Sequence, residues 1–430
     1  MESAGLKIKE VTNSDRISNL SDDLLIKILS LVPVRTAMST SLLSKQWKPV
    51  WKMMPTLVYD ETCPTVIGSL GFAQFCSMSL PKARLLRTLI LKLDKKAASI
   101  VIDSLLFTNL PSTLLEISIT SLSKNYIGFP KNFKVFQTLV VSKLQGTITL
   151  NVAVDSPVCF QSLKSLHLIS VMFWSKSSLG ILLSACPVLE DLFFVTNVNT
   201  RIHPFTISVP SLQRLHITDH VDNGDLKLEI NAPSLKYLKI IDWSGCIKFV
   251  KDMPKLVGAK VILSQYQAEK LIRLLTSVEF LSIIHLHPSM VLPLANGISH
   301  RLLRLKLHIS HKLPLNMLLH LLKYSPKLQV LKLHENHFIY TTRGTEDQLP
   351  PVSAPILVPE CVSFHLENLE FRGFVGREEV KEVVVYILQN ARHLKTASIL
   401  IYSEGCPGGE KDVVVRVKNI LPPVLITLSF

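Results

Sequence analysis

From residue 86 onward one short pattern keeps returning: an apolar residue, two variable ones, an apolar residue, one variable, an apolar residue. It stands at Leu86/Leu89/Leu91, Leu114/Ile117/Ile119, Phe136/Leu139/Val141, Leu163/Leu166/Leu168, Leu189/Leu192/Phe194, Leu212/Leu215/Ile217 and Leu235/Leu238/Ile240. It continues at Leu256/Ala259/Val261, Val278/Leu281/Ile283, Leu302/Leu305/Leu307, Leu328/Leu331/Leu333, Leu366/Leu369/Phe371 and Leu394/Ala397/Ile399. Successive copies begin mostly 21 to 28 residues apart. Two inward residues flanking one outward residue describe a short β-strand. No such unit can bury its own apolar edge, so neighbours must stack into a curved solenoid with a continuous parallel sheet. One match would mean little in a Leu-rich chain; a near-regular series dictates the architecture.

The period and the L-x-x-L-x-L core resemble leucine-rich repeats. Several units follow a Pro turn, as in Val209-Pro210-Ser211-Leu212 and Ala232-Pro233-Ser234-Leu235, and longer units leave room for a convex-side helix at 177–185 and 315–324. The Leu set is core, so specificity must sit on the outward residues. Their central positions give a row along the concave face: His167, Phe193, His216, Lys239, Lys260, Ser282, Lys306, Lys332 and Glu370, with Arg304 on the same side. Strands ~4.8 Å apart would gather these cations into a positive stripe suited to an acidic or phosphorylated segment of a target protein. The competing reading is a solvated polar face. His216, Lys239, Lys260, Arg304, Lys306 and Lys332 are the candidate target-binding residues.

Residues 15–60 are built differently. Leu20, Leu24, Leu25, Ile28, Leu29, Leu31, Leu42, Leu43, Trp47 and Trp51 crowd a segment too short to hide them all, so the remainder must meet another surface. Ser21 is placed to cap a first helix, with Asp22 and Asp23 at its positive end. Pro33 stops that helix, a second fits 35–43, and a third fits 44–52 with Pro49 in its first turns. The segment closely resembles the F-box of plant proteins that deliver substrates to cullin–RING ubiquitin ligases. The resemblance implies that Leu20, Ser21, Leu24, Ile28, Leu43, Trp47 and Trp51 form or support the surface for a Skp-type adaptor, and through it the cullin. Most family members carry Pro where this chain has Ser21. The lost apolar contact corresponds to about 1 kcal/mol of adaptor affinity.

The interval from Leu328 to Leu366 contains Pro350, Pro351, Pro355 and Pro359 and reads as an extended linker. Beyond it Val380, Val383, Val384, Ile387 and Leu388 follow helical spacing over residues 378–390. Pro359-Glu360-Cys361, Leu369-Glu370, Arg372-Gly373, Gly376-Arg377-Glu378-Glu379, Asn390-Ala391-Arg392 and Leu394-Lys395 resemble the FBD domain found downstream of such repeats in plant proteins. Its physical role would be to close the open edge of the solenoid.

The 430 residues carry 47 Lys and Arg against 33 Asp and Glu, a formal net charge of +14 that is dispersed rather than clustered. A basic balance suits an acidic partner or nucleic acid, but no nucleic-acid module is present. Seven widely spaced cysteines read as reduced thiols of a cytosolic or nuclear protein. The N-terminus lacks a secretion signal and no apolar run is long enough for a membrane. There is no nucleophile elbow, phosphate loop or dinucleotide fingerprint. The histidine pairs His308/His311, His334/His337 and His285/His287 lack converging acidic or Cys ligands, so no metal and no cofactor is expected.

The expected fold class is thus α/β: a three-helix F-box at 15–61, a leucine-rich-repeat solenoid at 62–345 and an FBD cap at 346–425. The expected function is non-enzymatic: target recognition for an SCF-type ubiquitin ligase in the cytoplasm or nucleus. The alternative is a non-catalytic basic scaffold that binds nucleic acid or acidic protein.

Overall fold

A computed structural model describes residues 17, 20–61, 72–83, 85–94, 110–124, 126–128, 137–152, 160–175, 177–196, 205–219, 228–241, 247–250, 252–263, 274–286, 300–309, 315–335, 357–374, 378–401 and 415–417. The chain forms two compact units, Met1–Asn151 with Asp155–Leu163, and Val152–Val154 with Lys164–Phe430.

The first unit opens with three short helices. Asp22–Leu29 has Ser21 at its cap position and Asp22 and Asp23 in the first turn. Contrary to expectation, the Ser21 side chain makes no capping bond. Its carbonyl instead accepts the Leu24 and Leu25 amides at 3.0 Å each. The helix ends at Leu29, before Pro33, and Pro33 caps the next helix, Val34–Ser39. A ring that fixes φ and lacks an N–H suits a helix start. That second segment tightens into the 3-10 turn Thr40–Leu42. The third helix, Trp47–Val50, also passes into a 3-10 turn, Trp51–Met53. Both are thus shorter than the helices expected at 35–43 and 44–52. Pro49 does sit in a first turn, where its missing donor costs least. Leu25, Leu29, Val34, Ala37, Trp47, Val50, Trp51 and Met54 fill the small core.

The parallel sheet begins directly after these helices. Thr56–Asp60 pairs with Thr88–Leu93, which pairs with Glu116–Ser121, which pairs with Val141–Gly146. Met54, Leu57 and Tyr59, all buried, thus form one repeat upstream of the first copy read from the sequence. The copy read as Phe136/Leu139/Val141 needs correction. Ile117 pairs with Ser142 and Ile119 with Leu144, so the inward triplet is Leu139/Ser142/Leu144 and Val141 is only half-buried. A serine in a core position broke the apolar signal.

In the second unit Ser165–Ile169, Asp191–Val195, Arg214–Thr218, Tyr237–Ile241, Gly258–Leu263, Phe280–Leu286, Arg304–Ile309, Val330–Glu335, Asn368–Phe374 and Thr396–Ile401 follow one another in parallel. The repeat triplets Leu189/Leu192/Phe194 through Leu366/Leu369/Phe371 are buried beneath them. The turn before each strand adds its own backbone ladder: Gln213 donates to Glu190, Lys236 to Gln213 and Val257 to Lys236, at 2.8, 2.9 and 2.9 Å. Ser178–Ser184 and Leu315–Lys323 supply the expected helices. Where repeats are short, a second parallel sheet replaces a helix, made of Phe205–Ser208, Leu228–Asn231 and Ile247–Phe249. Phe205 of that sheet meets Phe194 of the main sheet edge-on at 6.1 Å.

The C-terminal part continues the stack. Pro359 caps a short helix Glu360–Phe364 that the sequence reading missed, and Glu378–Asn390 forms as its spacing requires, burying Val383, Val384, Ile387 and Leu388. The rest of the proline-rich linker, residues 336–356, lies outside the described residues. The sheet is not parallel throughout: Val415–Val417 runs antiparallel against Thr396–Ile401 and covers that strand's free edge.

Truncating a buried repeat leucine removes packing for the units on both sides. Leu215→Ala should cost about 2–5 kcal/mol, read as a lowered denaturation midpoint, whereas Lys260→Ala, at an outward position two strands away, should shift it by less than about 0.5 kcal/mol.

Candidate functional site

Two surfaces, one in each unit, present side chains that the fold does not use for itself. On the first, the helix Asp22–Leu29 is divided into two faces. Leu25 and Leu29 are 0% and 2% exposed, while Leu24 and Ile28, one turn apart, are 45% and 43% exposed. Leu31, Leu42 and Leu43 stand out further, at 86%, 90% and 68%. Leu20 is half-buried, and its carbonyl accepts a 3.2 Å bond from Gln46 Nε2, which ties the chain entering the first helix to the turn before the third. Ser21 is exposed. Trp47 and Trp51 are both 4% exposed, so they shape this surface from beneath and offer it almost no area. An isolated exposed leucine needs no explanation; five apolar side chains contributed by neighbouring turns of one small bundle do.

On the second surface, strand register aligns the outward residues. His167, Phe193, His216, Lys239, Lys260, Ser282, Lys306, Lys332 and Glu370 are consecutive partners across the strands. All are half-buried. The row has three chemically distinct parts. At one end the His167 and Phe193 rings stack at 4.1 Å, and His216 meets Phe193 edge-on at 5.4 Å. At the other, Lys332 Nζ lies 2.6 Å from a Glu370 oxygen and Arg372 Nε lies 2.5 Å from the other. Burial pushes the Glu370 carboxyl up, but bonds from Lys332 and Arg372 outweigh it and hold the carboxyl below its ordinary value.

Between those ends stand Lys239, Lys260 and Lys306, and among the described residues no carboxylate pairs with them. Burial and then the charge of Lys260 lower the Lys239 pKa, and the same two causes lead for Lys306. The positive stripe is therefore narrower than the sequence suggested, because Lys332 already has its anion. Ser282 sits between Lys260 and Lys306, and its shielded hydroxyl makes no hydrogen bond among the described residues.

Arg304 belongs to a neighbouring row that sequence reasoning passed over: Arg214, Tyr237, Gly258, Phe280, Arg304 and Val330, again consecutive in register. The Arg304 guanidinium lies over the Phe280 ring, 5.1 Å from its centre. These two rows line a cavity of about 540 Å³. The signal was present two residues before each lysine or serine, but only strand pairing reveals that the aromatic residues adjoin. A third row carries His308, His334 and Arg372, with the two imidazoles 5.0 Å apart. His287, His311 and His337 lie outside the described residues, and among those described no three metal-ligating side chains converge.

Stacked repeats preceded by a small helical bundle define a leucine-rich-repeat architecture. Comparison with known proteins supplies the family. Residues 17–59 match the F-box domain, residues 114–334 match the repeats of the FBD-associated F-box protein At5g56370, and residues 354–399 match FBD. The putative F-box/FBD/LRR-repeat protein At5g56810 of Arabidopsis thaliana is 53% identical over 419 residues, 95% of either chain. The putative FBD-associated F-box protein At5g56820 of the same plant is 49% identical over 94% of this chain and 90% of its own. The chain belongs to the plant F-box/FBD/LRR-repeat family.

Burial, followed by the nearby lysines, drives His216, His308 and His334 down to about 4 from 6.5. The folded protein therefore holds these imidazoles neutral over a range where the unfolded chain would protonate them. Stability must fall as pH is lowered from 6.5 toward 4, because the unfolded state binds more protons there. Thermal denaturation across that window should show a falling midpoint, and the double variant His308→Gln/His334→Gln should flatten the slope.

Proposed function

We propose that this protein is the target-recognition subunit of an SCF-type ubiquitin ligase. Its N-terminal helices dock on a Skp-type adaptor that leads to the cullin, and its repeat face holds the protein to be modified. The observation that carries this reading is the apolar surface of Leu24, Ile28, Leu31, Leu42 and Leu43 laid over an already complete core. Each leaves a large apolar area open to water, and that area is hidden only when another surface covers it.

The protein itself transfers nothing. A ubiquitin-carrying thiol must ionise easily, yet among the described cysteines burial pushes Cys76 and Cys361 up to about 12, and Cys186 is buried as well. Its contribution is proximity, raising the local concentration of target lysines near the ubiquitin donor. Function in the cytoplasm or nucleus follows from the partners this reading requires. On the repeat face, Lys239, Lys260 and Lys306 with His216 and Arg304 meet an acidic stretch of the target, and Lys332 fixes the end of the row through Glu370.

Leu24→Asp combined with Ile28→Asp should abolish capture of adaptor and cullin from a plant lysate while leaving the thermal midpoint nearly unchanged, since both positions are half-exposed. Trp47→Ala should instead destabilise the bundle by about 3–5 kcal/mol. If the doubly charged variant captures adaptor as well as the parent does, the docking assignment is wrong.

Ser21 offers a reciprocal test. Its φ of −66° and ψ of 153° already suit proline. Ser21→Pro should therefore fold normally and tighten adaptor binding by about 1 kcal/mol, roughly fivefold, in a titration with purified adaptor.

A further inference from the structure

The cavity on the repeat face combines two features that a merely solvated lysine row would not have. One is the set of cations with no paired carboxylate among the described residues, Lys239, Lys260 and Lys306. The other lies at Gly258. In register it falls between Tyr237 and Phe280, so an aromatic residue flanks a missing side chain on either side. A Cβ there would lie 3.1 Å from Tyr237 Cδ1 and 3.7 Å from Phe280 Cβ. The Tyr237 ring leans over the glycine yet keeps 47% of its area exposed. A half-exposed ring seated on the buried glycine backbone is a platform for a flat apolar group.

Spacing turns these features into a motif. Lys239 and Lys306 stand three strands apart, about 14 Å, and Gly258 lies between them one row away, about 7 Å along its strand from Lys260. An extended peptide crossing the strands presents alternate side chains about 6.7 Å apart, so residues i and i+4 span about 13 Å. We propose that the repeat face recognises an extended target segment of the form acidic-x-aromatic-x-acidic, with its aromatic side chain stacked on the exposed Tyr237 ring above Gly258. The first carboxylate meets Lys239, the aromatic ring lies on Tyr237 beside Phe280, and the second carboxylate meets Lys306. Lys260 is left for the backbone carbonyls between them. This rests on the reading of the repeat face as the target-docking surface and adds its sequence preference.

The test uses the full chain bound to its adaptor and a fluorescein-labelled peptide containing Glu-Ser-Phe-Ser-Glu, followed by fluorescence anisotropy. Replacing the peptide's Phe by Ala should weaken binding at least tenfold, and replacing both Glu by Lys should remove it. Gly258→Val, whose Cβ would meet the Tyr237 ring at 3.1 Å and displace it, should weaken the parent peptide at least tenfold. Tyr237→Ala, a change at a half-exposed ring, should do the same and covers the case in which the valine disturbs the strand. Equal binding of the Phe and Ala peptides, indifference to both protein variants, or tighter binding of a single-stranded oligonucleotide of equal charge would each overturn the motif. Adaptor retention is read in the same samples. Loss of adaptor with peptide binding intact sinks the ligase reading alone; retained adaptor with no peptide binding sinks this inference alone.

Discussion

Everything distinctive about this protein depends on strand register. Each repeat places two inward residues around an outward one, and the parallel ladder sets outward residue beside outward residue from one strand to the next. A slip of one residue would turn the leucines to solvent and the lysines into the core. The buried set therefore fixes the register, and the register fixes which charged groups become neighbours. The chemistry of the face is a by-product of packing beneath it. Lys260 has no ion-pair partner among the described residues because of what stands on adjoining strands, whatever its neighbours in sequence.

The two surfaces solve opposite problems. The N-terminal bundle is small, so it cannot hide all its leucines, and it sorts them: Leu25 and Leu29 go inward while Leu24 and Ile28 stay out. The repeat array is long and hides its leucines easily, so its free positions can carry charge. Apolar area suits a constant partner, because it gives affinity without demanding a particular sequence. Charged and aromatic groups at fixed spacing suit a selected one, because wrong partners leave cations uncompensated.

Much of this was legible in the chain. The repeat triplets, the lysine row and the helix Glu378–Asn390 each follow from one period, and periodicity is a local property. What escaped notice was non-local or irregular. The strand at Thr56–Asp60 was hidden because Met54 and Tyr59 replace leucine, and Ser142 displaced the register of its repeat. The Tyr237–Gly258–Phe280 row could not be seen without knowing which strands adjoin. Glu370 was visible as a row member, but its bonds to Lys332 and Arg372 depend on side-chain geometry. The antiparallel strand Val415–Val417 carries no repeat signal at all.

The central claim is that packing sets Lys239, Lys260 and Lys306 in one row, where burial and then the Lys260 charge raise the cost of charging Lys239 and Lys306. Carbon-13 methylation of the lysines followed by NMR titration of the folded chain reads this directly. Lys239 and Lys306 should lose their protons below the ordinary lysine value of 10.5, and addition of an acidic peptide should move both upward. Titration of both at or above that value in the unliganded protein would contradict the account.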